Sequence, residues 1–266
     1  MKIAGTLILR DGTGLDYPFD RVISNMAGLC DEVIVGLDPG FPEDLKTINA
    51  LGLPNVRIFD TPWDMSNIQG GTEIAMQIEA LSDEAKASGA DWVVALQADE
   101  FLLNDDFDML KAFMERNQDT DVIGFSLERV YFWKDLETVR KDWNANLVRI
   151  FKAGAYSFLA EATDKSGMFS AAVVPGRCVD LPYKIYHYSR VAKDPAKISK
   201  RVRNADGFFH PADTLIPFDE LPEYDFVART HDHFSLDGFP TEVDAKYYKY
   251  LGKHPDGIEE WYSELT

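Results

Sequence analysis

Apolar residues along this chain recur with two alternating periods. Ile3–Leu9 is a continuous apolar run of strand length, and Phe19, Val22, Ile23, Met26 and Leu29 then fall at helical spacing, predicting a helix over 17–29. Glu32–Leu37 reads as a second buried strand, 43–51 as a short helix and Val56–Asp60 as a third strand. After a long loop, Ile74, Ile78, Leu81 and Ala85 make the buried stripe of a helix predicted over 72–88. Trp92 to Leu96 has the length and β-branched content of a strand buried on both faces. Strand and helix alternating in this way imply a parallel sheet with helices on its faces. The expected fold class is α/β: an open, mostly parallel, Rossmann-like sheet flanked by helices.

The pattern changes after residue 100. Residues 105–116 read as a helix whose acidic first turn suits the helix dipole, so Asp105, Asp106 and Asp108 are taken as helix-start residues rather than a metal cluster. Residues 121–133 are long, apolar and β-branched or aromatic, predicting a strand or a bent strand pair. Residues 147–152 and 183–188 are further strands; alternation in the second puts Tyr183, Ile185 and His187 on one face and Lys184, Tyr186 and Tyr188 on the other. Asp194-Pro195 is a good helix start. The tail is rich in aromatics, and the expected division is 1–190 as the catalytic domain and 191–266 as a helical and aromatic extension on the acceptor side.

Composition narrows the partners. The chain has 266 residues, 45% of them hydrophobic, enough for a sizeable core. A net charge of -18 argues against nucleic acid and against anionic lipid, both of which need a basic surface. Two cysteines, Cys30 and Cys178, make neither a disulfide framework nor a zinc site. The N-terminal apolar run ends at Arg10-Asp11 with no cleavage-like site, and no run reaches transmembrane length. A cytoplasmic protein is the expectation.

Against that acidic background, a few places carry candidate chemistry. Asp99 and Glu100 end the strand at Trp92 and have apolar residues on both sides. A buried carboxylate is costly unless it is paired or bound to metal, and in open α/β sheets the carboxyl ends of strands are where ligands bind. Arg10 to Gly14 leaves the same edge as a glycine-containing turn, without the third glycine of a dinucleotide fingerprint. Gly70-Gly71 precede a helix whose first amides favour an anion; the alternative is that they only permit a tight turn. A cluster of Arg190, Lys193, Lys197, Lys200, Arg201 and Arg203 stands out, either as a solvated helix face or as a cationic lid over an anion. His231-Asp232-His233 has spacing that suits a metal only with a further ligand.

Asp91-Trp92-Val93-Val94-Ala95-Leu96-Gln97-Ala98-Asp99-Glu100 resembles the metal-binding segment of nucleotide-sugar-dependent glycosyltransferases with the GT-A fold, especially family 2. In that family the segment reads Asp-x-Asp, often followed by Glu; here Gln97 replaces the first carboxylate, Asp99 matches the second and Glu100 the following acid. Arg149-Ile150-Phe151-Lys152-Ala153-Gly154 resembles a second family segment that a His-Glu pair follows; here Glu161 is present and the histidine is not. The resemblance covers roughly residues 1 to 190. It implies an inverting glycosyltransferase of hexosyltransferase type that moves a sugar from a nucleotide diphosphate, most readily a UDP-sugar, to the hydroxyl of a glycan, lipid-linked or small-molecule acceptor. It implies Mn or Mg held by Asp99 and His187, and a donor site containing Asp38, Gly70, Gly71 and Gln97; the basic cluster that follows adds Lys197, Lys200 and Arg201 as the expected cations at the donor diphosphate. Glu161 is the implied general base, with Glu100 and Asp164 in reserve. Two other readings stay open: a nucleotidyltransferase acting on a sugar phosphate, and a non-catalytic nucleotide-sugar-binding relic.

Overall fold

A computed structural model describes residues 1–67, 72–141, 146–155, 177–194, 196–198, 200, 201, 204 and 247–265. The sheet begins in Rossmann-like order. β1 (Ile3–Leu9) lies between β2 (Glu32–Leu37) and β4 (Trp92–Ala95), with β3 (Val56–Asp60) outside β2, all parallel. Beyond β4 the sheet turns antiparallel through β8 (Asn146–Lys152), β6 (Val122–Lys134), β7 (Thr138–Arg140) and β10 (Tyr247–Lys249). The long strand β9 (Arg177–Val191) runs parallel to β6, and β5 (Glu100–Phe101) pairs with β9. The fold is therefore α/β with a parallel sheet centre flanked by helices, as the alternating periods imply.

Alternation in each strand splits the core into two layers. Val33, Val35, Trp92 and Val94 join one cluster with α1 (Phe19–Leu29) and α4 (Phe107–Arg116). Ile34 and Val93 join the other, against α3 (Thr72–Ala87). α3 sits so close that a Cβ on Gly36 of β2 would lie 2.9 Å from Leu81, so only glycine fits there. α2 (Pro42–Ala50) covers the β2–β3 connection and α5 (Ile258–Glu264) seats Trp261 in the first cluster.

Four boundaries differ from expectation, each for a physical reason. α1 starts at Phe19 rather than residue 17, because Pro18 disfavours helical geometry in Tyr17 before it. Residues 121–133 form one strand, β6, bent by register shifts rather than split in two. The strand predicted over 183–188 is the end of the longer β9, whose first half pairs with β6 despite its polar residues. Asn104–Asp106 is a single 3-10 turn that precedes α4, with Asp105 held by Lys253. The described C-terminal residues add β10 to the same sheet and α5 to the same core.

Candidate functional site

The carboxyl end of β4 is built from the backbone outward. After Ala95 the chain turns, with the Glu100 amide donating to the Gln97 carbonyl at 3.1 Å. β5 then lays Glu100 opposite His187 and Phe101 opposite Tyr186 on β9, and the Tyr188 amide donates to the Asp99 carbonyl at 2.9 Å. From the other side, buried Asn25 of α1 clamps the Leu102 backbone, donating to its carbonyl at 3.0 Å and accepting from its amide at 3.2 Å. The acidic segment is therefore stitched between two elements distant in sequence, and this pairing brings Asp99 to His187.

Asp99 and Glu100 have opposite fates. Glu100 is fully buried, and Arg149 of β8 donates from Nε to Oε2 and from a terminal nitrogen to Oε1, both at 2.8 Å. Burial alone would raise the Glu100 carboxyl; the Arg149 guanidinium, with His187 and the Gln97 amide, holds it below the usual carboxylate range. Oε2 also accepts from the Gln97 amide at 3.1 Å, so Glu100 ties Arg149 to the turn that carries Gln97 and Asp99. Asp99 has no such clamp: its Oδ1 lies 3.3 Å from His187 Nε2, and both side chains are about nine-tenths buried. His187 packs edge-on against Tyr131, with ring centroids 4.7 Å apart, while its Nδ1 has no hydrogen-bond partner among the described residues.

This pair fits a divalent cation in one specific sense. Two adjacent ligands, each about 2.1 Å from a hard cation, stand roughly 3 Å apart, close to the separation seen here. Among the described residues no group of three His, Cys, Asp or Glu side chains gathers to hold a metal. A cation here would need its remaining ligands from a bound phosphate and water, the usual arrangement for Mg in phosphate-handling sites.

The other candidates are placed as follows. Gln97 and Arg149 reach a pocket between the sheet and α3 that Thr6, Ile8, Ile78 and Leu81 also line. Asp38, after β2, makes an ion pair with Arg10 at 3.2 Å and caps the Gly40 amide at 3.0 Å. The basic cluster after β9 closes on the β1–α1 loop. Lys197 pairs with Asp16 at 2.8 Å, and Lys200 donates to the Gly14 carbonyl. Arg201, completely buried, donates to the carbonyls of Leu15, Asp16, Val191 and Ser189. These three cations hold protein backbone and carboxylate. Gly70, Gly71, Glu161, Asp164, His231 and His233 lie outside the described residues.

Two further residues at this end of the sheet bear on the site: Tyr17, which no motif marks, and Arg190 of the basic cluster. Tyr17, just before α1, has its hydroxyl pushed above the usual range by burial and then by Asp99, with Arg201 and Arg190 opposing. Arg190, near the end of β9, is 7% exposed, and its Nε lacks a partner among the described residues. Among those residues no helix is long and apolar enough to cross a membrane.

No protein-family model matches the chain, and no curated protein matches it. Among solved structures it is similar to a 4-diphosphocytidyl-2C-methyl-D-erythritol synthase at 14% identity, over 69% of this chain and 90% of that one, with a TM-score of 0.46. It is similar to a cytidylyltransferase from Leptospira borgpetersenii serovar Hardjo-bovis at 13% identity, over 68% and 76%, with a TM-score of 0.42. It is similar also to a protein from Desulfovibrio desulfuricans described as a nucleotide-diphospho-sugar transferase, at 13% identity, over 85% and 94%, with a TM-score of 0.39.

Proposed function

We propose that this protein is an inverting, metal-assisted glycosyltransferase with a GT-A-like catalytic domain. The observation that carries the reading is the convergence of Asp99 and His187 at the carboxyl end of β4, with Oδ1 and Nε2 3.3 Å apart. The bond from the sugar's anomeric carbon to the phosphate oxygen breaks, and its electron pair leaves on the diphosphate. The acceptor oxygen forms the new bond from the opposite face, and its proton passes to a general base. Asp99 and His187 would hold Mn or Mg together with the donor phosphates, and the ion would supply Lewis-acid stabilisation of that leaving charge. Glu161 is our choice of base. Gln97 contributes an amide to the donor pocket in place of a carboxylate, so metal affinity without nucleotide is weak. Glu100 and Arg149 position the segment.

The β1–α1 loop favours this reading over a nucleotidyltransferase. A loop that cradles a triphosphate offers free backbone amides. Here the buried carboxylate of Asp44, in the first turn of α2, already accepts from the Gly12 amide at 2.8 Å and the Thr13 amide at 2.7 Å. The Leu15, Asp16 and Tyr17 amides close on carbonyls of the same loop. The Asp44 carboxylate thus takes two amides that a phosphate cradle would need free.

The test is a calorimetric titration of UDP into the full chain with Mn, then with chelator, followed by GDP and dTDP. Metal-dependent binding of one of them, lost in Asp99→Ala with the unfolding temperature preserved, is the expected result, and transfer assays with the matching donor should lose at least about 100-fold in kcat. Retained transfer by Asp99→Ala sinks the metal assignment. Pyrophosphate release from a nucleoside triphosphate and a sugar phosphate would replace this reading with the nucleotidyltransferase.

A further inference from the structure

Arg190 reaches its position through an irregularity in the sheet. In the parallel β6–β9 pair, Tyr131 sits beside His187 and Trp133 beside Arg190, so β9 holds one residue more than β6 over the same stretch. Tyr131 and Trp133 share a face, because strand side chains alternate. The extra residue therefore turns Arg190 onto the face that carries His187, whereas plain alternation would put the two on opposite faces. Ser189, at the bulge, confirms the local geometry through its 2.8 Å bond to the Tyr131 hydroxyl. Bulges of this kind commonly re-aim a side chain beside a functional site.

Arg190 carries an open donor. Its Nε has no hydrogen-bond partner among the described residues, although the residue is more than nine-tenths buried. Arg201 lies within its electrostatic reach: burial lowers the Arg201 guanidinium, Tyr17, Asp99 and Asp16 oppose, and Arg190 adds a smaller lowering. Arg201 is occupied by backbone carbonyls and does not neutralise anything beyond the protein. Burying a guanidinium with an open donor near a second cation costs free energy that an arriving anion recovers.

We propose that Arg190 is the anion-binding residue of this site, receiving a diphosphate oxyanion beside Asp99 and His187. The assignment rests on the proposed function, since the diphosphate is that of the nucleotide donor and leaving group. It differs from the sequence expectation in its residue: Lys197, Lys200 and Arg201 face the β1–α1 loop, and among the described members of that basic cluster Arg190 is the one with a buried donor left open. A guanidinium suits the task because its planar fork matches phosphate oxygens.

The experiment titrates inorganic pyrophosphate with Mg into the full chain and follows thermal unfolding with and without it. The wild type should bind and unfold at a higher temperature when saturated. Arg190→Met should bind about 10- to 100-fold more weakly, the effect of losing charge-assisted hydrogen bonds. Its unliganded form should unfold no earlier than wild type, the reverse of what loss of a structural ion pair does. Unchanged affinity in Arg190→Met overturns the assignment while leaving the donor-site reading intact. Failure of the wild type to bind pyrophosphate, UDP, GDP or dTDP overturns both. Should Arg190→Met fail to fold, Arg190→Lys decides: it keeps the charge and loses the fork, so affinity should fall about three- to tenfold, and wild-type affinity overturns the proposal.

Discussion

Two loops leave neighbouring strands at the same edge of the sheet, and they are finished in opposite ways. In the β1–α1 loop every described polar contact closes on the protein: Asp44 takes the Gly12 and Thr13 amides, Lys200 the Gly14 carbonyl, and Arg201 the carbonyls of Leu15 and Asp16. At the end of β4 only half of the polar groups are closed. Glu100 is locked to Arg149, while Asp99 faces His187, and His187 Nδ1 and Arg190 Nε are left without partners among the described residues. Buried polar groups in folded proteins are normally satisfied. The two unpartnered atoms on β9, His187 Nδ1 and Arg190 Nε, mark where we place a ligand; in the β1–α1 loop Arg10 Nε also lacks a hydrogen bond, but there Asp38 stands 3.2 Å away as its ion-pair partner. Charge or glycine content alone does not separate the two, since both loops are acidic and the scaffold loop has the glycines.

The sharpest way to break the contrast is at the closed half of the open site. Arg149→Met leaves the fully buried Glu100 carboxylate without its partner, and breaking such a pair costs about 3–5 kcal/mol. Denaturant unfolding should register that loss whether or not nucleotide is present. The pair also has a pH signature. The folded Glu100 carboxyl lies below its ordinary value, so its contribution is fully present above the unfolded-state pKa and is lost as pH falls through the lower folded one. Glu100→Gln should therefore flatten the acid limb of the stability–pH curve between those two values. An unaltered limb would mean that the Glu100 carboxyl titrates alike in the folded and unfolded chain, and the Arg149 clamp would not be holding it down.

Next in size is the scaffold loop. Asp44→Ala orphans two amides and should cost about 2–3 kcal/mol, a typical value for hydrogen bonds to a charged group, measured by the same unfolding titration. Nucleotide affinity per folded molecule should stay within about threefold, because removing a positioning contact outside the ligand's reach leaves its binding groups intact. If Asp44→Ala instead created a new triphosphate site on the freed amides, the loop would be a phosphate cradle held shut, and the contrast between the two loops would fail.

Pattern reading reached the parallel half of the fold because β1, β2 and β4 are buried on both faces and announce themselves as apolar runs. Asp99 stood out because two carboxylates interrupt such a run, and His187 was singled out by the family resemblance rather than by its aromatic alternation. What joins them was not legible. β5 is two residues long, shorter than any periodicity, and its pairing with β9 depends on Asn25 holding Leu102 from a helix far upstream. The face of Arg190 depends on one extra residue in β9, which alternation counted from His187 gets wrong. The three cations assigned to a donor answer backbone carbonyls and an aspartate instead, and carbonyls leave no mark in a sequence.

The smallest expected effect tests that last point. Lys200 is half-exposed, and its contacts are the Gly14 carbonyl and Asp11 Oδ2 at 3.9 Å. Exposed pairs of this kind contribute about 0–1 kcal/mol, so Lys200→Ala should change stability by no more than that. Its effect on nucleoside diphosphate affinity separates two kinds of basic residue. If Lys200 serves the loop, affinity stays within about twofold at about 0.15 M salt, where a surface charge acts weakly beyond a Debye length of about 8 Å. If Lys200 swings from the loop to cover a bound diphosphate, affinity falls about tenfold or more, and the fall shrinks as salt is raised. Comparing Lys200→Ala with Arg190→Met at two ionic strengths distinguishes a surface cation from a buried one, because only the exposed contribution is screened.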